Sequence, residues 1–128
     1  YLDSFITTKS SFYSSDKDAQ YDDTINIECA NIEPQIALPH SPDNVKSISE
    51  VHNMKIELDQ VVIGSCTNGR LVDLRNVAKI LKNRKINEKL RCIIIPGTQN
   101  IYLKAMKRGY IESFVKAGAI VSTPTCGP

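Results

Sequence analysis

Three short apolar runs stand out in the second half of the chain, at residues 61–63, 92–95 and 119–121. Each run is apolar throughout instead of alternating with polar residues. That pattern is typical of strands in a parallel sheet that is covered on both faces. We therefore predict that these runs form three strands of one parallel sheet.

Between these runs, the apolar positions repeat with the period of a helix. Over residues 71–81, the apolar side chains fall on one face and the basic ones on the other. Two more helices are predicted over residues 99–108 and 110–117, ending at Gly109 and Gly118, which suit left-handed C-cap positions. The order is β-α-β-α-β, so the sequence predicts an α/β fold with helices on both faces of a parallel sheet.

The sequence before this pattern is more polar, and we expect residues 1–57 to form an extended, loop-rich connecting segment ahead of an α/β domain over 58–128. Alternation over residues 24–29 predicts one strand that buries Cys29. Three prolines within residues 33–45 exclude a regular helix and confine any strand to a sheet edge, so we predict an ordered, extended loop there. Lesser features predicted here are a helical turn near residues 16–21 and a short strand over residues 54–58.

Composition excludes several classes of protein. Hydrophobic residues make up 41% of the chain and charged residues 23%, near the averages for globular domains. A net charge of +2 without a basic run interleaved with aromatics argues against a nucleic-acid partner. No apolar segment approaches the roughly 20 residues that a membrane-spanning helix needs, and the start shows no signal-peptide pattern. We expect a cytoplasmic protein with no membrane or nucleic-acid partner.

The four cysteines fall into two pairs. The chain is not a short, cysteine-dense scaffold, so reduced thiols are expected. Cys29 and Cys92 lie within predicted strands and are interpreted as small buried hydrophobic residues. Cys66 and Cys126 instead follow predicted strands, in turns. Because the turns after parallel strands gather at one edge of a sheet, these two thiols are expected to converge on a shared ligand despite their separation in sequence.

The turn around Cys66 has the sequence Gly-Ser-Cys-Thr-Asn-Gly-Arg at residues 64–70. Its glycines allow a close backbone fold, and the N–H groups of the helix that follows should stabilise a thiolate. Candidate hydrogen-bond donors around the ligands are Ser65, Thr67 and Asn68. A purely structural alternative remains open, in which Asn68 and its neighbouring glycine only make a turn and cap the helix.

Two cysteines do not complete a metal site by themselves, because structural zinc takes four ligands. His40 and His52 lack ligand spacing, although His40 stands between two prolines. The Cys-Gly-Pro sequence that ends at Pro128 is how a Cys-x-x-Cys motif begins, so a third cysteine is expected just after Pro128, in a longer protein. A P-loop is disfavoured, because Arg and Leu follow the second glycine where that motif needs Lys and Ser/Thr.

The two cysteine motifs resemble those of the aconitase superfamily, and most closely those of the large subunits of 3-isopropylmalate dehydratase and homoaconitase. Residues 64–70 are similar to the first iron–sulfur motif, and residues 122–128 to the beginning of the second. Residues 33–45 are similar to the block that precedes them, and residues 96–98 to a Pro-Gly-Ser turn, with Thr98 for Ser. Arg70 agrees with the two-subunit enzymes, since single-chain aconitases usually have Ser there.

The resemblance implies a [4Fe–4S] cluster with Cys66 and Cys126 as two of three ligands. It implies a hydro-lyase that isomerises a hydroxy acid of the 3-isopropylmalate or homocitrate type by dehydration and rehydration, in amino-acid biosynthesis. A small subunit with a swivelling domain would supply the base and most specificity residues, so no catalytic residue is assigned in these 128 residues. We expect this stretch alone to be inactive. The alternative is a non-catalytic α/β fragment without a cofactor.

Overall fold

The computed structural model describes residues 6–8 and 11–127 of the chain. It divides into two units, Tyr1–Asn53 and Met54–Pro128. The first unit holds a small hairpin and a short helix, and the second holds the parallel sheet with its helices.

A two-stranded hairpin forms the regular part of the first unit. Strand β1 (Gln35–Ala37) pairs antiparallel with β2 (Val45–Ser47). The sequence predicted an extended loop over residues 33–45, and this prediction is wrong at both ends of that stretch. Two of its three prolines lie in the connection 38–44, outside the ladder, where the missing N–H of proline removes no sheet hydrogen bond.

Helix α1 (Ile48–Val51) follows the hairpin directly and was not predicted. It begins with a capping box. The Ser47 hydroxyl accepts from the backbone N–H of Glu50 at 3.4 Å, and the Glu50 carboxylate accepts from the backbone N–H of Ser47 at 2.8 Å. A serine followed three residues later by a glutamate is a sequence signal for such a start, and it was present to be used.

The predicted strand over residues 24–29 is wrong. Ile25 and Ile27 are exposed, and Cys29 begins a single 3-10 turn, Cys29–Asn31, in which it too is exposed. Among the described residues no other strand pairs with this segment, and an unpaired segment has nothing against which to bury its apolar face. The prediction that Cys29 is buried therefore fails with the strand.

Two weaker predictions also fail. Residues 54–58 form no strand, and their apolar side chains are exposed. Near residues 16–21 the chain makes one turn, in which the N–H of Ala19 donates to the carbonyl of Asp16 at 3.2 Å, without a helix. Neither segment pairs with a described strand, so neither belongs to a sheet.

The sheet of the second unit confirms the predicted parallel strands. Strands β3 (Gln60–Gly64), β4 (Arg91–Ile95) and β5 (Ile120–Val121) lie side by side in chain order. In the register, Gly64 stands beside Ile95, so β3 and β4 end at the same level. The edge formed by these carboxyl ends is where the turns after the strands meet.

Three helices connect these strands at the predicted positions, one between the first two strands and two between the last two. They are α2 (Leu71–Leu81), α3 (Gln99–Lys107) and α4 (Tyr110–Ala117). The glycine before α4 and the glycine after it have φ values of 73° and 98°, the left-handed conformation that their positions predicted.

The three described helices lie on one face of the sheet, so the prediction of helices on both faces is wrong for this part of the chain. All three contact one another. Strands in chain order with right-handed connections place every connecting helix on the same side. On the opposite row of the sheet, Val62 and Ile120 are 42% and 52% exposed, while Ile93 between them is buried.

The core lies between this helical layer and the sheet. Leu74 of α2, Ile94 of β4 and Phe114 of α4 are fully buried in one cluster. Cys92 belongs to the same cluster at 5% exposure, which confirms its interpretation as a small core residue. Burial raises the pKa of the Cys92 thiol. This core holds the strand ends, and therefore the turns that follow them, in fixed positions.

Candidate metal centre

Two turns lock together at the carboxyl edge of the sheet. Ser65 follows β3, and its backbone N–H donates to the carbonyl of Ile95, the last residue of β4, at 3.0 Å. The N–H of Gly97, in the turn after β4, donates to the carbonyl of Gly69 at 2.8 Å. The loop that carries the first cysteine is thus held against the neighbouring turn by backbone hydrogen bonds.

Glycine is required at two positions of this loop because the backbones approach so closely. A Cβ added at Gly64 would lie 2.0 Å from the carbonyl oxygen of Ile95, and Gly64 also has a φ of 100°. A Cβ at Gly69 would lie 2.4 Å from the nitrogen of Gly97. The sequence predicted a close backbone fold at both glycines, but around a ligand. In the structure, the glycines make room for the end of β4 and the turn after it.

The two cysteines that the sequence singled out do come together at this edge. The Sγ atoms of Cys66 and Cys126 are 3.7 Å apart, although 60 residues separate them in the chain. Both residues are exposed, so the pair is accessible from solvent. Parallel topology thus brings two unoxidised thiols to one accessible point.

Ser65 lies between the two cysteine turns. Its Oγ accepts from the backbone N–H of Cys66 at 2.6 Å. It lies 3.6 Å from the Sγ of Cys66 and 3.2 Å from the backbone carbonyl oxygen of Cys126, and can donate to either. We expected helix N–H groups to stabilise the Cys66 sulfur. The described side-chain bonds to that sulfur come instead from this hydroxyl and from the Cys126 thiol, because three turn residues separate the cysteine from Arg70, the N-cap of α2.

The pKa values of the two thiols are shifted in opposite directions. Hydrogen bonds from the Ser65 hydroxyl, and then from the Cys126 thiol, lower the pKa of Cys66 from its ordinary value of 9.0. The hydrogen bond to Cys66 and the charge on that sulfur raise the pKa of Cys126. Cys66 therefore loses its proton first. A thiolate is the form that binds a metal, and Cys66 is the thiol poised to provide it.

The other candidates contribute less in this structure. Thr67 and Asn68 lie in the exposed turn after Cys66, and no hydrogen bond from their side chains is described. His40 and His52 both lie in the first unit; the Nδ1 of His52 contacts the carbonyl of Ser49 at 2.7 Å. Within residues 6–8 and 11–127, no group of three metal-ligating side chains is assembled.

The two thiols fit an iron–sulfur cluster by their chemistry, by their position in the fold and by their exposure to solvent. Thiolates are the usual ligands of such clusters, and this pair is exposed at the edge where α/β proteins bind ligands. Thiols in contact at 3.7 Å are closer together than ligands on separate irons would be, so one Sγ must move outward. Cys126 is exposed on a segment without regular structure, where rotation about its χ1 would separate the two sulfurs.

Fold and site together define an α/β protein whose parallel sheet presents a pair of exposed thiols at its carboxyl edge. Comparison with protein families is consistent with that class: the model of the aconitase family (aconitate hydratase) matches residues 4–128. The chain belongs to the aconitase family.

Curated relatives give the same family with a more specific name. The chain is 53% identical over 128 residues to the 3-isopropylmalate dehydratase large subunit of Caldicellulosiruptor bescii, covering all of this chain and 30% of that protein. It is 58% identical over 116 residues to proteins of that name from Clostridium kluyveri and Moorella thermoacetica, covering 91% of this chain and 27% of each. The chain thus spans about 30% of the length of these relatives.

No helix in the described part of the chain combines the length and apolarity needed to cross a bilayer.

Proposed function

We propose that this chain is the cluster-binding part of the large subunit of a 3-isopropylmalate dehydratase-type hydro-lyase. The observation that carries the proposal is the contact between Cys66 and Cys126 at the carboxyl edge of the sheet, in a chain of the aconitase family. Cys66 and Cys126 would each hold one iron of a [4Fe–4S] cluster. The third thiolate would come from a cysteine just after Pro128.

Neither remaining cysteine is suited to be the third ligand. Cys92 is buried and pairs with Val61, three residues before the strand ends, which places it about 10 Å from the edge. Cys29 is exposed, but it lies in neither of the two motifs that resemble cluster-binding sequences. We therefore predict that the 128-residue chain alone keeps no cluster after anaerobic reconstitution, whereas the full-length protein does.

When bound by three thiolates, the cluster supplies one iron without a protein ligand, a Lewis acid for the hydroxyl and carboxylate of a hydroxy acid. The chain's own residues would position the ligands of the cluster. The core under β4 fixes the edge, and the glycine loop sets the position of the Cys66 thiolate. The lowered pKa of Cys66 raises the fraction of its thiolate, the form that binds a metal. In this proposal no residue of the chain moves the substrate proton. That role falls to the rest of the enzyme, including a small-subunit partner, in the reducing cytoplasm.

Activity in the full-length protein tests this proposal. We expect the protein, co-expressed with its small subunit and reconstituted with iron and sulfide, to isomerise 3-isopropylmalate, and the Cys66→Ser variant to be inactive. Cys29→Ser is the matched control and should keep full activity, because Cys29 is exposed and remote in the chain from both motifs. Turnover of homocitrate in place of isopropylmalate would assign the homoaconitase reaction. Full activity of Cys66→Ser would refute the assignment of the site.

A further inference from the structure

The backbone at Ser65 is in a conformation that favours glycine. Its φ is 90°, and it is one of two described non-glycine residues with a positive φ. Left-handed backbone is costly for a residue with a Cβ, and such residues persist where the side chain has a role. The backbone of Ser65 is nevertheless fixed at both ends, since its N–H donates to Ile95 and its carbonyl accepts from Gly69 at 3.1 Å.

The hydroxyl of Ser65 is the part of the residue that reaches the second cysteine. Its single proton goes to one acceptor at a time, and the backbone carbonyl oxygen of Cys126 at 3.2 Å is nearer than the Cys66 sulfur at 3.6 Å. The hydroxyl oxygen also accepts from the N–H of Cys66. A glycine would fit the backbone better but would lose both of these bonds. The side chain therefore accounts for a serine at this position.

The segment that carries Cys126 has few other attachments. The N–H of Ser122 donates to the carbonyl of Ile94 at 3.0 Å, which is the last bond of the sheet type in this segment. Beyond it, the hydroxyl of Thr125 bonds locally to Gly127. Among the described residues, two bonds tie residues 123–127 to the rest of the unit, and both join them to the Cys66 turn: one to the Ser65 hydroxyl and one to the Cys66 sulfur.

We propose that Ser65 is a positioning residue, whose hydroxyl holds the backbone of Cys126 beside Cys66 so that both thiols can bind one metal group. The proposal rests on the function proposed above. Since the bond is to the backbone carbonyl, the Cys126 side chain stays free to rotate toward the metal while its Cα is held. The serine therefore fixes the distance between the backbones of two cysteines that lie on separate turns.

The proximity of the two thiols can be measured without a cluster. In the metal-free full-length protein, with the cysteine expected just after Pro128 replaced by serine, oxidised glutathione converts the Cys66 and Cys126 thiols into one disulfide and releases two molecules of reduced glutathione. The ratio of the two forms at equilibrium gives the effective concentration of one thiol at the other. Peptide mass spectrometry identifies the Cys66–Cys126 disulfide and its yield.

Two variants separate the hydroxyl from the backbone. Ser65→Ala removes the hydroxyl and keeps the Cβ, whereas Ser65→Gly removes the hydroxyl and suits the φ of 90°. Thr123→Ala is the matched control, since Thr123 is exposed and no bond of its hydroxyl is described. We expect both Ser65 variants to lower the effective concentration roughly 2- to 12-fold, the range for loss of one hydrogen bond, and Thr123→Ala to leave it unchanged.

An unchanged effective concentration in Ser65→Gly would overturn the proposal, because the hydroxyl would then hold nothing. Slow alkylation of the buried Cys92 thiol shows in the same samples that each variant is folded. If Ser65→Ala fails this check, Ser65→Gly decides alone. After reconstitution, the Ser65 variants should also lose iron to a chelator faster than the control. A protein that binds no cluster would refute the proposed function, while the glutathione experiment would still decide the role of Ser65.

Discussion

Replacing Gly64 by alanine tests whether the two locked turns approach as closely as described. The added Cβ would lie 2.0 Å from the carbonyl oxygen of Ile95, well inside the 3.4 Å at which ordinary contacts begin. Both partners are backbone, so neither can swing away as a flexible side chain would. That carbonyl also accepts the N–H of Ser65, and this bond must lengthen if the strands are pushed apart.

Gly109→Ala is the matched control, because Gly109 also has a positive φ but has no atom within 4 Å of an added Cβ. Its cost is the left-handed conformation alone, about 1–2 kcal/mol. Gly64→Ala has a similar conformational cost. To this it adds about 2–4 kcal/mol for overpacking and a weakened hydrogen bond. Against a typical stability of about 5–15 kcal/mol, the difference is large.

Urea unfolding of both variants in the full-length protein, followed by circular dichroism, measures this difference. We expect a lower midpoint for Gly64→Ala than for Gly109→Ala, together with poorer iron retention in Gly64→Ala only. Equal midpoints and equal iron content would refute the reasoning, since the loop would then not be packed against the end of β4.

Three further predictions concern the core, the thiols and the first helix. Phe114→Ala should cost about 3–5 kcal/mol in a denaturation experiment, because Phe114 is fully buried, whereas exposed Val115→Ala should change stability by about 0.5 kcal/mol or less; equal effects would contradict the described core. Iodoacetamide should alkylate metal-free Cys66 much faster than Cys92 at neutral pH, because the pKa of Cys66 is lowered and that of buried Cys92 is raised. Similar alkylation rates for the two cysteines would contradict the described environments of their thiols. Hydrogen bonds from the backbone and hydroxyl of the N-cap serine lower the pKa of Glu50 below its ordinary 4.5, so its stabilisation of α1 should be complete above that value and disappear as pH falls through the lowered pKa. An NMR titration of the Glu50 carboxyl group measures its pKa, and a pKa at the ordinary value would contradict the described capping box.

The second unit could be predicted from sequence because its signals are local and agree with one another. Apolar runs marked the strands, helical periodicity marked the connections, and Gly109 and Gly118 marked the ends of two helices. The convergence of Cys66 and Cys126 followed from topology alone, since parallel strands bring their following turns to one edge.

The failures have a different cause, because they depend on what lies beside a segment. The alternation of apolar and polar residues over 24–29 carries no information about neighbouring strands. In the structure, no described strand pairs with this segment. A continuous apolar strand has the same sequence pattern whether helices cover one face of the sheet or both. Predicting helices on one face would have required knowledge of the order of the strands in the sheet. The bond from Ser65 to Cys126 spans 61 positions, and no local pattern encodes it. The capping box at Ser47 is different, since its sequence signal was present and was not used.

The most direct test of the central claim is the iron and sulfide content of the full-length protein after anaerobic reconstitution. With Cys66 and Cys126 as ligands, the natural protein should bind about four iron atoms per chain and show iron–sulfur absorbance in the visible range. The Cys66→Ala and Cys126→Ala variants should each lose most of both, while Cys29→Ala keeps them. A Cys66→Ala or Cys126→Ala variant that retains the full cluster would contradict the account.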